Sequence, residues 1–517
     1  MHIAPIRKIV IVGGGTAGWM AAALFAKLFL SAPNPTAEVT LVESEDIGTV
    51  GVGEATIPAI KRFNQLLDLD EADFMKATQA TFKLGIEFAG WTRPGDSYIH
   101  GFGKIGQELG WLRAHQYWLK MRGTGKVSDR FDDYSINTAA AHANRFLRAR
   151  PDMPQSPLND IAYAYHFDAG LFARYLRAYS EKRGVVRAEG RITDVRLKPD
   201  TGFVDRLVLA DGREIDGELF IDCSGMRALL IEKALGVGYQ DWGHWLPCDR
   251  AVAVPCAYPD AGRAAAMTPC TRSTAREAGW QWRIPLQHRI GNGVVYASAF
   301  TGDDAAVSEL LASLDGPALA EPRAIPFRTG KRSRVWEKNV VAVGLSSGFL
   351  EPLESTSIHL IQSTLIRLVN LFPDTAFAPT TIAQFNAMTD FDFERIRDFI
   401  IAHYRLNARD GAMWAACRDM IPPDTLRQKL DHFADRGRIV KEAEELFAEE
   451  SWIQVLLGQG LIPKTYDPCV DLQTDDRIAA FLNNISGVVR ACVARMPEHA
   501  EFVAAYCPAD MPLKAAS

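Results

Sequence analysis

The sequence predicts an α/β protein: a parallel sheet covered by helices, an antiparallel β region in the middle, and a helical C-terminal third. Three patterns predict it. The chain opens with a strand, a glycine turn, a helix and a second strand; its middle alternates apolar and polar residues in short runs; beyond about residue 357 the apolar residues recur at helical spacing.

The opening unit runs from the apolar strand Lys8 to Val12, through Gly13 to Gly15, into a helix reaching about Leu30. A polar loop, Ser31 to Thr36, and a strand from Glu38 to Val42 complete it. This βαβ order requires the two strands to pair in parallel. The long apolar stretch from Ile9 to Leu30 follows Arg7 and Lys8, but three glycines interrupt its middle and Lys27 its far end. No signal peptide or membrane span is therefore expected. From about Val185 to Thr301, runs such as Phe203 to Ala210 and Gly293 to Phe300 alternate, with Asp211-Gly212 and Gly291-Asn292-Gly293 as turn signals. Antiparallel sheet is expected there. The helical pattern follows in Ile358, Ile361, Leu365 and Leu368, and again in Phe391, Ile396, Phe399 and Ile400. We expect residues 1–360 to form a nucleotide-binding module that includes the antiparallel part, about 185–301, and residues 361–517 to form a mostly helical substrate-binding region.

Composition narrows the function classes. With 517 residues, 48% hydrophobic and 23% charged, the chain can bury a large core. A net charge of -6 without any basic run argues against nucleic acid as a partner. The eight cysteines show no C-x-x-C or other metal-ligand spacing, so they read as reduced thiols of a cytoplasmic protein without a metal site. A small-molecule ligand is the expectation.

Gly13, Gly15 and Gly18 form G-x-G-x-x-G around Thr16 and Ala17, after a strand and at the start of a helix. The first glycine allows the tight turn, the second lets a pyrophosphate reach the backbone, and the third lets helix and strand pack closely. Glu43 ends the second strand, where a carboxylate accepts from ribose hydroxyls and repels a 2′-phosphate, which favours FAD or NAD over NADP. Leu219 to Gly225, an apolar strand ending in Asp-Cys-Ser-Gly, is similar to the late strand that brings the chain back to the cofactor in glutathione-reductase-like FAD enzymes. FAD is the cofactor this resemblance implies, on a Rossmann core of that type.

Three further segments resemble the flavin-dependent tryptophan halogenase family. Gly279 to Pro285 reads Gly-Trp-Gln-Trp-Arg-Ile-Pro and matches the family's W-x-W-x-I-P at Trp280, Trp282, Ile284 and Pro285. Two tryptophans two apart on a strand share a face and can wall a dry tunnel. Phe82 to Gly85, Phe-Lys-Leu-Gly, puts Lys83 on the family's catalytic lysine; apolar neighbours lower a lysine's pKa. Gly344 to Ile358 is similar to the segment closing over the flavin, with Glu351, Glu354 and Ser355 clustered ahead of a helix beginning at about Ser357. Glu354 falls on the catalytic glutamate, with Ser355 beside it. Thr356 and Ser357, at the helix N-terminus, would receive the halide. Thr49 to Pro58 resembles the family's strap over the flavin and contributes Gly53 and Ala55; Ile358 completes the cofactor contacts the resemblance implies.

What the resemblance implies is halogenation of an electron-rich, indole-type ring. FADH2 and O2 would form a flavin hydroperoxide that turns chloride or bromide into hypohalous acid, which Lys83 and Glu354 activate. A separate NAD(P)H flavin reductase is the source of FADH2 that the resemblance implies. A homodimer fits the same picture, and no membrane partner does. Family members that take free tryptophan carry adjacent tyrosines, then a glutamate and a Phe-Trp pair; this chain has neither Tyr-Tyr nor Phe-Trp. Its nearest stretch, Leu446 to Trp452, offers Trp452 as a ring platform or as core packing, and His100 and Phe102 are further pocket residues by the same resemblance. A substrate without the free amino acid is expected. Two other readings share the cofactor site: a flavin hydroxylase or epoxidase, which leaves Trp280, Trp282 and Lys83 unexplained, and a flavin-binding sensor without chemistry.

Overall fold

The computed structural model describes residues 4–31, 34–45, 53–259 and 261–509. The opening unit forms as expected. Lys8–Val12 pairs in parallel with Glu38–Glu43 on one side and with Leu219–Asp222 on the other. The full order is Val186–Glu189, Glu38–Glu43, Lys8–Val12, Leu219–Asp222, Val340–Ala342 and Trp336–Glu337, parallel except for the last pair. The strands nearest its centre are apolar because helices cover them: Thr16–Phe25 is buried from Gly18 onward and packs against Ala169–Glu181 and Ser357–Asn370. The strand Leu219–Asp222 delivers Cys223 to the glycine turn, where a Cβ on Gly13 would stand 2.4 Å from the Cys223 carbonyl oxygen.

A seven-stranded sheet lies beside it, ordered Arg323–Pro326, Arg250–Cys256, Ile290–Tyr296, Gly279–Pro285, Cys270–Arg276, Gly85–Ala89 and Ser97–Gly101. All its pairs are antiparallel except Cys270–Arg276 with Gly85–Ala89. Thus within residues 185–301 the strands Val186–Glu189 and Leu219–Asp222 belong to the parallel sheet, while two strands from before residue 102 join the antiparallel one.

One turn expectation is corrected. Gly291-Asn292-Gly293 lies inside the buried strand Ile290–Tyr296, and the chain reverses earlier, where the Leu286 N–H donates to the Arg289 carbonyl at 2.9 Å. The glycines serve close packing instead. A Cβ on Gly293 would fall 2.0 Å from the Trp282 ring, and one on Gly291 3.3 Å from Gly53.

The C-terminal part is helical, with Pro379–Arg405, Ala412–Asp419, Asp424–Arg436, Glu449–Gly458, Asp475–Val493 and His499–Tyr506. These helices fold back on earlier segments. Asp475–Val493 packs on Ile136–His142 and Ala114–Met121, and Glu449–Gly458 packs on Ser97–Gly101. There the Gln454 amide accepts from the Gly101 N–H and donates to the Gly101 carbonyl, both at 3.1 Å. Among the described residues no helix is long and apolar enough to cross a membrane.

Candidate active site

The glycine turn is shaped for close approach. Gly13 adopts φ 111°, a left-handed conformation that favours glycine, and a Cβ on Gly18 would lie 1.8 Å from the Gly13 carbonyl oxygen. Gly15 differs: among the described residues a Cβ there would meet nothing within 4 Å, and no side chain caps the helix Thr16–Phe25 that it precedes. Free N–H groups facing open space suit a pyrophosphate. Thr16 and Ala17 open that helix, and Gly344 approaches Ala17 so closely that its Cβ would stand 2.9 Å away. The two ends of the sequence signature therefore meet.

Glu43 lies against this turn; a Cβ on Gly14 would collide with its carboxylate. Arg187, on the adjacent strand, donates to Glu43 Oε1 at 2.5 Å, a partner the sequence did not disclose. The acidic residue of the late strand is fully engaged: Asp222 accepts from the N–H groups of Ser224, Leu230 and Ile231 and from the Ser224 hydroxyl, which shapes the turn. The chain's features thus fit a dinucleotide with its pyrophosphate at Gly15. Gly53 and Ala55 lie on the strand Gly53–Ala55, paired with Ala164–Asp168 and backed by Ile284 and Leu286. The strap residues Thr49 to Val52 lie outside the described residues.

The second part of the site is a buried polar cluster. Lys83, at the end of the strand Thr81–Lys83, is 0% exposed, and its Nζ donates to Ser355 Oγ at 2.8 Å. Burial pushes the Lys83 ammonium down to about 7, against the opposing pull of Glu354 and Cys270. Its Nζ also sits 5.3 Å from the Phe102 ring centroid. Ser355 reaches Lys83 because it takes the left-handed φ of 58°, unusual for a serine, at the end of the turn Pro352–Glu354.

Glu354 is as buried as Lys83 but turns to other partners. His100 Nδ1 lies 2.9 and 3.1 Å from its two oxygens, and His403 Nε2 lies 2.9 Å from Oε1. Burial alone would raise this carboxyl; the imidazoles of His100 and then His403 more than offset it and hold it at about 2. The two buried groups thus have opposite tendencies, an amine that readily loses its proton and a carboxylate that keeps its charge.

Thr356 and Ser357 follow at the start of the helix Ser357–Asn370. Neither Ser355 nor Thr356 caps that helix with its side chain, and the Thr356 hydroxyl is buried without a partner among the described residues. Ile358 is buried in the same turn.

Trp280 and Trp282 stand together with ring centroids 6.2 Å apart. The Trp280 Nε1–H donates to Glu351 Oε2 at 2.6 Å, and the Tyr404 hydroxyl donates to the same oxygen at 2.6 Å. Burial raises Glu351 to about 7 despite these donors. Pro285 offers its carbonyl to the Thr81 hydroxyl at 2.6 Å, tying the tryptophan strand to the lysine strand.

Trp452 lies farther out. Phe399 meets it edge-on at 4.7 Å, Lys429 Nζ sits 4.8 Å from its ring centroid, and its Nε1 has no partner among the described residues. Phe399 stacks on Phe447 at 3.7 Å and lies 5.5 Å from His100, so an aromatic row links Trp452 to the polar cluster. His403, Tyr404 and Trp91 were missed in the sequence. A single histidine on an apolar helix face reads as core, and only its position opposite Glu354 shows otherwise.

With this geometry in view, comparison with known proteins is specific. The tryptophan halogenase family model matches residues 8–475. The tryptophan 6-halogenase SttH of Streptomyces toxytricini is 35% identical, covering 96% of this chain and 98% of that protein. Among solved structures, a flavin-dependent halogenase from Xanthomonas campestris superposes with a TM-score of 0.93 at 48% identity, covering 98% of this chain and 100% of that one. Another, from Brevundimonas sp. BAL3, gives 0.92 at 49% identity, covering 97% and 99%.

Proposed function

The chain belongs to the tryptophan halogenase family, and from that premise we propose that it is a flavin-dependent halogenase acting on an indole-type ring that carries no free amino acid group. The observation that carries the catalytic reading is the convergence of Lys83, Ser355, Glu354 and His100 in one buried cluster. Gly13, Gly15, Thr16, Ala17, Gly18, Glu43, Gly53, Ala55 and Ile358 would hold FAD. Reduced FAD with oxygen supplies the two-electron oxidation that makes a halide electrophilic.

The chain's own residues do the rest. Lys83 presents an amine that changes protonation near neutrality, so it can hold an electrophilic halogen on its nitrogen or by hydrogen bonding, while Ser355 fixes its direction. Glu354 stays anionic, stabilises the ring cation formed on halogen transfer, and accepts the proton as the C–H bond breaks and its electrons restore the aromatic ring. Thr356 and Ser357 would receive chloride or bromide at the helix N-terminus. Trp280, Trp282, Ile284 and Pro285 wall the passage between flavin and ring, and His100, Phe102 and Trp452 line the aromatic pocket. Reduced flavin comes from a separate reductase. The absence of Tyr-Tyr and Phe-Trp in the sequence supports a substrate lacking ammonium and carboxylate groups.

The test is incubation with an FADH2-regenerating system, bromide and a panel of indoles, phenols and free tryptophan, read by mass spectrometry. Brominated indoles ahead of brominated tryptophan are expected. An oxygenated product formed equally without halide would instead mark a hydroxylase.

A further inference from the structure

Charged side chains meet where the strands Glu38–Glu43 and Val186–Glu189 end side by side. The strands pair in parallel with Glu189 opposite Glu43, and the Gly190 N–H donates to the Glu43 carbonyl at 2.8 Å. Arg187 stands two residues before Glu189 and on the same face, so its guanidinium reaches along the strands toward both carboxylates. Its Nε donates to Glu43 Oε1 at 2.5 Å, and its Nη2 donates to Glu45 Oε1 at 2.9 Å and to Glu189. The Glu45 N–H in turn donates to Glu189 Oε1 at 2.9 Å. These contacts are not alike. Glu45 is 74% exposed, whereas Arg187 and Glu43 are 15% and 16% exposed. A shielded, charge-assisted contact fixes the direction of its partners, where an exposed one is averaged and screened by solvent. The pairing also divides the two oxygens of Glu43. Oε1 takes Arg187, with Arg177 at 3.8 Å; Oε2 accepts no hydrogen bond among the described residues and lies against the glycine turn, 1.3 Å from where a Cβ on Gly14 would stand. The Gly13 N–H donates to the Val42 carbonyl at 2.8 Å, so turn and strand end are fixed to each other.

We infer that Arg187 is a positioning residue for the cofactor, holding Glu43 by Oε1 so that Oε2 is left to accept from a ribose hydroxyl of the FAD adenosine. This rests on FAD occupying the glycine turn. Without Arg187, Glu43 would exchange rotamers and turn away from Glu45 and Glu189, and a hydrogen bond to the ribose would first have to order it. An arginine beside a ribose-binding acid can have another use, receiving the 2′-phosphate of NADP. The charges here oppose that use. Glu43, Glu45 and Glu189 together outnumber Arg187 and Arg177, so an added phosphate meets net repulsion. The cluster therefore serves an unphosphorylated ribose.

The test is binding, without turnover, of FAD and of the FAD analogue lacking the adenosine 2′-hydroxyl, followed by flavin fluorescence on the full-length protein. The unaltered protein should bind the analogue about tenfold more weakly than FAD, the scale of one hydrogen bond to a charged group. Arg187→Met should weaken FAD by about tenfold and the analogue hardly at all, so that the two affinities converge. Added to Glu43→Ala, Arg187→Met should weaken FAD no further, because both changes remove the same contact. A variant that joins Glu45→Gln and Glu189→Gln to Arg187→Met relieves the repulsion among the carboxylates, and it carries the test if Arg187→Met alone does not fold. The loss of FAD affinity should persist in it. Recovery there would show that Arg187 only offsets charge and would overturn the inference, as would equal weakening of FAD and its analogue in Arg187→Met. Unchanged FAD affinity in Glu43→Ala would instead remove Glu43 from the ribose, and an unaltered protein that does not bind FAD would sink the functional reading itself.

Discussion

At the glycine turn, backbone does the work: the Cys223 carbonyl leaves no room for a side chain at Gly13 and the Gly13 carbonyl none at Gly18, while Gly15 faces open space among the described residues. Around Lys83 the reverse holds. Side chains from the strands Thr81–Lys83 and Ser97–Gly101, the run before Ser357 and the helix Pro379–Arg405 meet at one point. A backbone site is written in consecutive residues and can be read locally. A side-chain site is assembled by the fold, and each member alone is ambiguous.

The sharpest way to break this contrast is to delete a functional group from the cluster while leaving the turn intact. Lys83→Ala and Glu354→Gln should each lower bromination by about 100-fold or more, the scale of losing a positioned acid–base or electrostatic group. FAD affinity, followed by flavin fluorescence, should be unchanged in both. Retained bromination with unchanged flavin binding would remove these residues from the chemistry.

The converse experiment changes the turn. Gly15→Ala places a methyl in open space, so melting without FAD should match that of the unaltered protein, while FAD binding weakens about tenfold or more. Equal weakening of fold and binding would show that Gly15, like Gly13 and Gly18, serves packing.

The smallest effect concerns stability. Burial depresses Lys83 from 10.5 to about 7, so between those values the unfolded chain binds the proton that the folded one releases, and stability rises with pH across that window. Lys83→Met removes this cost. It should raise the melting temperature by a few degrees, more at about pH 6 than at about pH 9, while abolishing activity. A decrease at both pH values would mean that the Ser355 contact outweighs the buried charge.

The same contrast explains how much was legible. The βαβ opening and the helix at Ser357 follow from periodicity and glycine placement, and the late strand beside the opening from resemblance. The convergence of Lys83, Glu354, Ser355, His100 and Phe102 was expected by resemblance and not by spacing, since 272 positions separate Lys83 from Ser355 and 254 separate His100 from Glu354. His403 gave no local signal, and Arg187 beside Glu43 could not be foreseen, because parallel pairing across 144 positions decides it. Gly291 to Gly293 misled for a physical reason: glycine marks both turns and close packing, and only the Trp282 ring over Gly293 distinguishes them.

The Gln454 amide on Gly101 has a consequence beyond the site. Ser97–Gly101 is the last strand of its sheet, and such a margin invites strand addition from another molecule. By offering one acceptor and one donor to the same residue, Gln454 imitates a neighbouring strand for one repeat, and the helix that carries it shields the margin. Loss of that helix, by truncation or in a chimera exchanging C-terminal segments, would expose a self-complementary edge, and clumping during expression should follow before any change in specificity could be observed.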